Sequence, residues 1–487
     1  MKDIVDVCPQ PKNRQTRLLQ FGEGNFLRGF VDEMIDIANE KGVMDTEIII
    51  VKPRPGKPTE SFNRQNCLYT VMLSASTEQR TRLITSVSSM ISCYEDYDRY
   101  VAFADDENLR FIVSNTTEAG IVYDDSDLIN NRPPKSFPAK LTQFLYRRYK
   151  TFLGDNEKGV IILPVELIDD NGKVLRNIVK KLSRDWNLEK EFLTWLDEAC
   201  IFCSTLVDRI ISGYPSDKAE ELWDDLGYRD ELIVTGEAFG SWIIQPEKDI
   251  SKEFRLKEAG LPVVFTDDIR PYKKRKVRIL NGAHTSFALI SYLMGYDTVL
   301  EAVQDKRVED YINALFENEI IPTIEMDRSE LDEFAGSVLK RFKNPYIHHR
   351  LHDIALNSIS KWKTRCLPTM LDLIKMGKET KLFAFSLAAL LAYYKGEYDK
   401  DEIFIGKRDR NGKKCSYEIR DDKEVLDFFA KAAVYDAERY VEIILSEDSM
   451  WGMRLNEIDG LKDRVINALS DIISDPKHAL ESAVRNR

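Results

Sequence analysis

The hydrophobic pattern of this chain changes near residue 270, and that change limits the folds it can adopt more than any other feature. Before it, short apolar runs alternate with segments of helical periodicity. The runs are residues 17–21, 46–51, 110–115 and 159–166. Strands that alternate with helices are typical of parallel β-α-β units. The pattern therefore predicts a Rossmann-like α/β domain over residues 1–270.

After residue 270, long amphipathic or apolar stretches dominate and strand signals nearly vanish. A candidate hairpin at residues 410–419 is the exception, because Asn411-Gly412 suits a tight turn. We therefore expect a mostly helical second domain over residues 271–487 and a fold class of α/β plus α. The expected helical stretches are residues 279–294, 299–316, 329–342, 347–360, 379–394, 423–447 and 457–486.

Two glycines follow the first predicted strand in the sequence LLQFGEGNFLRGF. In a dinucleotide-binding turn, the first glycine allows a tight bend and the second lets the backbone approach a pyrophosphate. The third position of that fingerprint is Leu27, so the motif is degenerate and an ordinary glycine-rich loop is the alternative. The strand before it and the helix after it favour nucleotide binding. The expected coenzyme contacts are Phe21, Gly22, Gly24, Asn25 and Phe26.

Two further strand ends are candidates for coenzyme binding. The second strand runs into Lys52 and Arg54, where NAD enzymes usually carry an acid that binds the ribose. These cations would suit the 2′-phosphate of NADP or would simply be exposed, so NAD and NADP both stay open. The third strand ends at Asn115 and Thr116, at the sheet edge where such folds bind ligands. A plain loop with a helix cap is the alternative there.

Lys276, Asn281 and His284 stand close together in the sequence KVRILNGAHTSF. On an α-helix they fall within an arc of about 140°, so one face presents an amine, an amide and an imidazole. Such a set suits alcohol–carbonyl chemistry. The lysine would move the proton, the asparagine would stabilise the developing alkoxide, and the histidine would orient a hydroxyl. A basic helix start with a core histidine is the alternative.

The bulk composition excludes several classes of protein. A net charge of −12 argues against nucleic-acid binding and against attachment to a membrane surface. The longest apolar run, residues 382–394, is too short for a bilayer, which needs about 20 residues. Seven scattered cysteines indicate a reducing, cytoplasmic setting rather than a disulfide framework. Cys200 and Cys203 are expected to be buried thiols.

The segment DDIRPYKKRKVRILNGAHT, residues 267–285, resembles the signature of the polyol-specific long-chain dehydrogenases, the family of mannitol dehydrogenase. Further segments resemble that family in the same order, from about residue 17 to residue 370. They are FGEGNFLRGF, TTEAGI, STLVDRIISGYP, GEAFGSW and RFKNPYI. The similarity is closest to the sugar-acid branch that interconverts tagaturonate and altronate. It rests there on LLQFGEGNFLRGFVD, PVELIDDNG, SFPAKLTQFLYRRY and LNSISKWKTRCLPT.

The resemblance implies an NAD(P)-dependent oxidoreductase that needs no catalytic metal. It gives Lys276 the role of general acid and base. It makes Asn281 an oxyanion-stabilising amide and His284 a residue that orients the substrate. Asp208 and Lys361 match further active-site positions, and both are expected to bind substrate.

Two departures from the family pattern lie at the substrate end. Mannitol-type members carry an Asp-Asn pair after the fourth strand, and that asparagine is a second oxyanion donor. The matching pair here is Glu166 and Leu167. A mannitol-type arginine aligns near Asp353, where this chain has His349 and Arg350 one turn earlier. Both departures favour a substrate other than a simple hexitol.

A sugar-acid substrate would explain the cations in HHRLHDIALNSISKWKTR. A carboxylate prefers a bidentate arginine, although solvated surface charges are the alternative. His348 and His352 have the i, i+4 spacing of a two-histidine metal site. A hydrated helix face is the favoured interpretation, and no metal is predicted. The candidate carboxylate-binding cations are Arg350, Lys361, Lys363 and Arg365.

The first functional hypothesis is therefore an NAD-dependent enzyme that interconverts D-tagaturonate and D-altronate in hexuronate catabolism. A small-molecule sugar acid is the expected partner, and the sequence does not predict an oligomeric state. Fructuronate reduction and mannitol-type polyol oxidation are alternatives within the same family. A nucleotide-binding methyltransferase is a more remote alternative, because it leaves Lys276, Asn281 and His284 unexplained.

Overall fold

A computed structural model describes residues 1–8, 14–57, 60–75, 78–117, 120–346, 349–410 and 412–485. The chain divides into two compact units, Met1–Ile269 and Arg270–Arg487. Within the described ranges, no helix is long and apolar enough to cross a membrane.

The first unit is built on a six-stranded sheet in which every neighbouring pair is parallel. In chain order the strands are β1 (Thr16–Phe21), β2 (Glu47–Lys52), β3 (Val87–Ser92), β4 (Phe111–Ser114), β5 (Ile161–Pro164) and β6 (Ile201–Phe202). They lie side by side in the order β3-β2-β1-β4-β5-β6. This order is typical of dinucleotide-binding folds, where the ligand binds beyond the carboxyl ends of the two strands at which the order reverses. Those two strands are β1 and β4.

Apolar side chains cover both faces of this sheet, as a parallel sheet requires. Leu18 faces one hydrophobic core, whereas Leu19 and Phe21 face the other. The four strands predicted from short apolar runs are all present, within one or two residues. The sequence missed β3, whose VSSMIS contains three serines, and β6, which has only two residues.

Helices pack on both sides of the sheet, and smaller sheets complete the first unit. The helices are Ile4–Val7, Asn25–Leu27, Glu33–Glu40, Glu60–Arg64, Tyr97–Ala102, Phe137–Thr151, Asn171–Asp185, Lys190–Glu198 and Ala219–Leu226, with a π-helical turn at Arg28–Asp32. The smaller sheets consist of Ser204–Asp208, Ser241–Gln245 and Val263–Phe265, of Ile211–Gly213, Val234–Glu237, Tyr69–Ser74 and Gln79–Ile84, and of Lys2–Asp3 with Tyr228–Arg229.

The second unit is mostly helical, as the sequence predicted. Its helices are Arg270–Arg275, Ala283–Leu293, Val299–Gln304, Lys306–Leu315, Arg328–Phe342, Leu351–Ile354, Ser358–Arg365, Leu367–Lys375, Lys381–Tyr393, Lys423–Ala432, Ala437–Leu445, Asp448–Trp451, Leu461–Ser474 and Pro476–Arg485. Two π-helical turns, Lys276–Gly282 and Phe316–Ile320, interrupt the α-helical geometry.

Four of the long helices expected from the sequence are broken into shorter ones. The stretch 299–316 is split at Asp305, which stands between Val299–Gln304 and Lys306–Leu315. The stretch 347–360 is interrupted before Ser358, because Asn357 adopts a left-handed conformation with φ of 53°. The stretches 423–447 and 457–486 are each split in two, with Asp436 and Asp475 standing before the second helices. Asp436 caps its helix by accepting a hydrogen bond from the Arg439 N–H, which explains a new start at that position.

The expected hairpin is present near residue 410. Phe404–Arg410 and Lys413–Glu418 pair antiparallel, with Arg410 opposite Lys413. Gly412 supplies a positive φ of 76° in the two-residue turn. Asn411, the other predicted turn residue, lies outside the described residues.

Candidate active site

The glycine turn after β1 meets the end of β4. Gly22 has φ of +126°, and a Cβ there would lie 2.8 Å from the Asn115 carbonyl oxygen, so a side chain is excluded. The Gly22 N–H donates to the Val51 carbonyl, and the Asn115 N–H donates to the Phe21 carbonyl. A Cβ on Gly24 would meet nothing within 4 Å. Gly22 thus permits the close approach of two strand ends, and Gly24 leaves open space in front of them.

A helix begins directly after this turn, at Asn25. Its first N–H groups lack intrahelical partners, which makes such an end suitable for a phosphate. The Asn25 side-chain oxygen accepts a hydrogen bond from the Arg28 guanidinium. Phe26 stacks on Phe30 with ring centroids 5.1 Å apart. Phe21 has its side chain wholly in the core, so only its backbone can face a ligand.

Lys52, at the end of β2, is paired with an acid that the sequence analysis did not single out. Its Nζ lies 3.5 Å from the Glu23 carboxylate, and each side chain is 18% exposed. Arg54 is exposed. Lys52, the cation expected to meet the ribose, is therefore balanced by the negative charge of Glu23. A negative charge at this point does not favour the binding of a 2′-phosphate.

Glu166 organises the loop that follows β4. Its buried carboxylate accepts hydrogen bonds from the Ser114 hydroxyl at 3.0 Å, the Thr116 N–H at 3.0 Å and the Thr116 hydroxyl at 2.9 Å. Burial raises the pKa of Glu166. Leu167, the position of the family's second oxyanion donor, is 63% exposed. Glu166 is thus a support for the loop that carries Asn115 and Thr116, and not a replacement for that donor.

Together, these features of the first unit fit a dinucleotide. The turn excludes a Cβ at Gly22 and leaves space at Gly24, a helix start follows, and Glu166 fixes the neighbouring loop. Asp208, another predicted site residue, is buried at the end of the strand Ser204–Asp208.

In the second unit, Lys276 and Asn281 lie on the same π-helical turn. The sequence analysis assumed an α-helix, in which five residues separate two side chains by about 140°. Hydrogen bonds from i to i+5 widen a π turn and bring residues five apart closer to one face. Both side chains are half-buried. The structure therefore places the amine and the amide closer to one face than the prediction did.

His284 lies in the first turn of the α-helix Ala283–Leu293, and aromatic rings surround it. Its ring centroid lies 5.1 Å from Phe342, 5.6 Å from Phe287 and 4.8 Å from His349. Its Nε2 is enclosed and has no hydrogen-bond partner among the described residues. Burial, followed by the charges of His349 and Arg365, lowers the pKa of His284 well below its usual value. His284 is therefore a neutral imidazole whose Nε2 has no hydrogen-bond partner among the described residues.

Two of the predicted substrate-binding cations lie near His284. Lys361 and Arg365 both contribute to its lowered pKa. The Lys361 ammonium donates to the Ile354 carbonyl at 2.9 Å, and the Arg365 guanidinium donates to the Thr285 hydroxyl at 3.3 Å. Both cations lie on the helix Ser358–Arg365, which packs against Gly282. A Cβ added to Gly282 would lie 3.4 Å from the Arg365 carbonyl oxygen.

Arg350 and Lys363 are located elsewhere. Arg350 is exposed. It lines a cavity of about 440 Å³ together with Asp297, Glu301 and other polar residues, and His284 is not part of that lining. Lys363 lies beside Gly452. The structure thus groups Lys361 and Arg365 with His284, and it does not group Arg350 or Lys363 with them.

The remaining histidines and cysteines give no metal site within the described ranges, where no cluster of three His, Cys, Asp or Glu side chains is suited to a metal. The His352 Nε2 lies 2.7 Å from the Glu418 carbonyl oxygen, and His348 falls outside those ranges. Cys200 and Cys203 are buried thiols, as expected, and burial raises the pKa of Cys200 to about 12.

Comparison with known proteins identifies the family. The mannitol dehydrogenase Rossmann domain matches residues 16–258, and the mannitol dehydrogenase C-terminal domain matches residues 268–473. The chain belongs to the mannitol dehydrogenase family. The resemblance found in the sequence is thereby confirmed, and so is the fold class.

Several relatives of this mannitol dehydrogenase family member are altronate oxidoreductases. It is 42% identical to that of Bacillus subtilis (strain 168) over 464 residues, which are 94% of this chain and 92% of the relative. It is 40% identical to that of Shigella flexneri over 481 residues, 96% of each chain.

Two solved structures share the fold of this family member. Pseudomonas fluorescens mannitol 2-dehydrogenase, in a ternary complex with NAD and D-mannitol, is 21% identical with a TM-score of 0.67, over 97% of this chain and 94% of that one. A substrate-free D-sorbitol dehydrogenase is 20% identical with a TM-score of 0.77, over 96% and 95% of the two chains.

Sequence reasoning missed several residues of the candidate site in each unit. Glu23 occupies the variable position between the two glycines, where an acid could have been noticed. Glu166 was noted only as the neighbour of Leu167, where the second donor is missing. The contact of His349 with His284 joins segments 65 residues apart, and no local pattern signals it.

Proposed function

We propose that this chain is an NAD-dependent oxidoreductase that interconverts D-tagaturonate and D-altronate. The observation that carries the substrate class is the similarity to altronate oxidoreductases, about 40% identity along about 95% of the chain. The chemistry is that of a dehydrogenase acting on a CH–OH group, as the two family domains indicate. Its place in metabolism would be the catabolism of hexuronates.

The first unit supplies the residues that would hold the coenzyme. In this proposal, the backbone of Phe21, Gly22 and Gly24 and the start of the helix at Asn25 bind the pyrophosphate. Phe26, Lys52, Asn115 and Thr116 line the same edge of the sheet. The bound nicotinamide coenzyme supplies the hydride for reduction and accepts it in oxidation.

The second unit supplies the residues that would handle the proton. During reduction, the Lys276 ammonium gives a proton to the carbonyl oxygen, and during oxidation the neutral amine takes it back. The Asn281 amide donates a hydrogen bond to the oxygen while negative charge develops on it. The enclosed Nε2 of His284 would find its partner in a substrate hydroxyl. Asp208 and Lys361 complete the proposed substrate contacts.

The proposed function also implies where the protein works and which molecule it binds. A cytoplasmic location agrees with seven free cysteines, because a reducing compartment keeps thiols unpaired. The expected partner is a small sugar acid.

Replacement of Lys276 by alanine tests the proton-transfer role. We expect Lys276→Ala to bind NADH like the wild type, measured by the quenching of NADH fluorescence. Its kcat for tagaturonate reduction should fall by about 100- to 10,000-fold, the usual contribution of general acid–base catalysis. Lys274→Ala is the control, since Lys274 lies 3.9 Å from Asp372 and has no proposed catalytic role. An unchanged kcat in Lys276→Ala would remove Lys276 from the mechanism.

A further inference from the structure

Arg365 is a half-buried cation without an acidic partner among the described residues. Its only side-chain hydrogen bond to a described residue is the one it donates to the Thr285 hydroxyl at 3.3 Å. Burial lowers the pKa of its guanidinium. A guanidinium removed from water normally acquires a carboxylate or several carbonyl oxygens, because desolvation without compensation is costly. Most of the five N–H donors of Arg365 thus form no hydrogen bond with a described residue.

The groups around Arg365 increase this excess of positive charge. Lys361 lies one helical turn earlier, and like charges at i, i+4 repel each other. Burial, and then the charge of Arg365, lowers the pKa of Lys361. The Lys361 ammonium is bonded only to a backbone carbonyl oxygen among the described residues. Two neighbouring cations therefore share no carboxylate within the described part of the chain.

Asp421 and Asp353 are both engaged by other groups. Burial and the charge of Arg365 both affect the pKa of Lys361 more than the charge of Asp421 does. The Asp421 carboxylate accepts a hydrogen bond from the Tyr394 hydroxyl. Asp353 is paired with Arg420 at 3.2 Å. Neither acid forms an ion pair with Arg365 among the described residues, so the cluster of Arg365 and Lys361 is suited to a negative charge from a bound molecule.

We propose that Arg365 binds the carboxylate of the sugar acid and thereby makes this enzyme prefer a sugar acid over the neutral ketose. This inference rests on the proposed function, which supplies a carboxylate-bearing substrate. The planar fork of an arginine matches a carboxylate through two parallel hydrogen bonds, whereas a lysine offers only a point charge. Arg365 thus recognises the carboxylate, and Lys361 adds positive charge beside it.

The location of Arg365 agrees with the chemistry of the substrate. In tagaturonate the carboxylate and the reacting carbonyl stand near opposite ends of a six-carbon chain. The residue that binds the carboxylate must therefore differ from the residues that act on the carbonyl. Arg365 is carried by a helix separate from the Lys276–Gly282 turn, yet it contacts Thr285, the residue next to His284.

The test compares two substrates that differ only at the carboxylate. D-Tagatose carries a hydroxymethyl group where D-tagaturonate carries the carboxylate. For Arg365→Leu we expect kcat/KM with tagaturonate to fall by about 10- to 100-fold, as for the loss of charge-assisted hydrogen bonds. The kcat/KM with tagatose should stay within about two- to threefold of the wild type, since that substrate lacks the carboxylate. Arg365→Lys should retain part of the preference, because it keeps the charge and loses the fork.

Lys363→Leu is the matched control, since Lys363 lies on the same helix and away from the cluster. It should leave the ratio of the two kcat/KM values unchanged. NADH fluorescence quenching and the calorimetric affinity for altronate, measured for every variant, separate a folding defect from a loss of carboxylate binding.

The possible results separate this inference from the proposed function. If the wild type prefers tagaturonate and Arg365→Leu keeps that preference, the assignment of Arg365 is overturned while the function stands. An equal loss with both substrates would also overturn it, since a purely structural role gives that result. If the wild type shows no preference for tagaturonate, the proposed function and this inference both fall.

Discussion

Glu23 and Lys52 show how one ion pair can bear on the choice of coenzyme. Lys52 stands where an NAD enzyme usually carries an acid, so the sequence left NADP open. In the structure the Glu23 carboxylate lies 3.5 Å from the Lys52 ammonium. An acid at that point restores the negative charge that disfavours a 2′-phosphate. The preference for NAD is thus consistent with a residue inside the glycine turn itself.

Replacement of Glu23 tests this explanation. Glu23→Gln removes the negative charge and leaves Lys52 free to meet a phosphate. We expect the ratio of kcat/KM with NADPH to that with NADH to rise by about tenfold, as one new charge-assisted contact would give. The double variant Glu23→Gln/Lys52→Met should return the ratio to its original value. A ratio that does not move in Glu23→Gln would show that Glu23 plays no part in the choice.

Single residues also show where sequence reasoning succeeds and where it stops. Gly22 was predictable, because its positive φ and its close approach to Asn115 belong to a local turn with a known pattern. The lack of an acidic partner for Arg365 among the described residues was not predictable, since it depends on where every acid of the second unit lies. The sequence offered four candidate cations, and only the three-dimensional arrangement groups Lys361 and Arg365 with His284.

Helices with π turns are the elements that sequence periodicity described least well. Among the described residues, the π turns are Arg28–Asp32, Lys276–Gly282 and Phe316–Ile320. Each inserts a wider turn into a helix whose apolar spacing still reads as α-helical. One carries Lys276 and Asn281, and the other two carry buried carboxylates, Asp32 and Glu319. The helix was predictable, whereas the side chains it brings to one face were not.

Glu319 links its π turn to the most apolar helix of the second unit. Its carboxylate accepts hydrogen bonds from the N–H groups of Leu382 at 2.7 Å and Phe383 at 2.9 Å. These N–H groups belong to the start of Lys381–Tyr393, where Thr380 provides no side-chain cap. Burial nevertheless raises the pKa of Glu319 to about 7, because it outweighs the hydrogen bonds.

This raised pKa predicts a pH-dependent stability. The folded state holds the Glu319 proton more tightly than the unfolded state, so the stability from this proton is lost as pH rises from about 4.5 to about 7. The free energy of unfolding of the wild type should fall relative to Glu319→Gln, by at most about 1.4 kcal/mol per pH unit. Urea unfolding at several pH values measures the difference, with the exposed Glu317→Gln as control. A difference that is constant over this range would contradict the prediction.

For the whole molecule, the pattern change near residue 270 predicted the fold class correctly. Alternation of strands and helices indicated the α/β part, and helical periodicity without strands indicated the rest. Strand order, by contrast, is a non-local property. It became visible only in the structure, where β1 and β4 are neighbours although 89 residues separate their last and first residues. The coenzyme edge could be assigned to these strands once that order was known.

Reduction of keto sugars by the wild-type enzyme is the measurement that tests the proposed function most directly. The loss of NADH absorbance would be followed with D-tagaturonate, D-fructuronate and D-fructose at matched concentrations. We expect kcat/KM to be highest with tagaturonate, and about 100-fold or more above that with fructose, because fructose leaves the carboxylate-binding cation unpaired. A higher kcat/KM with fructuronate or fructose would contradict the assignment of tagaturonate and altronate as the substrate pair.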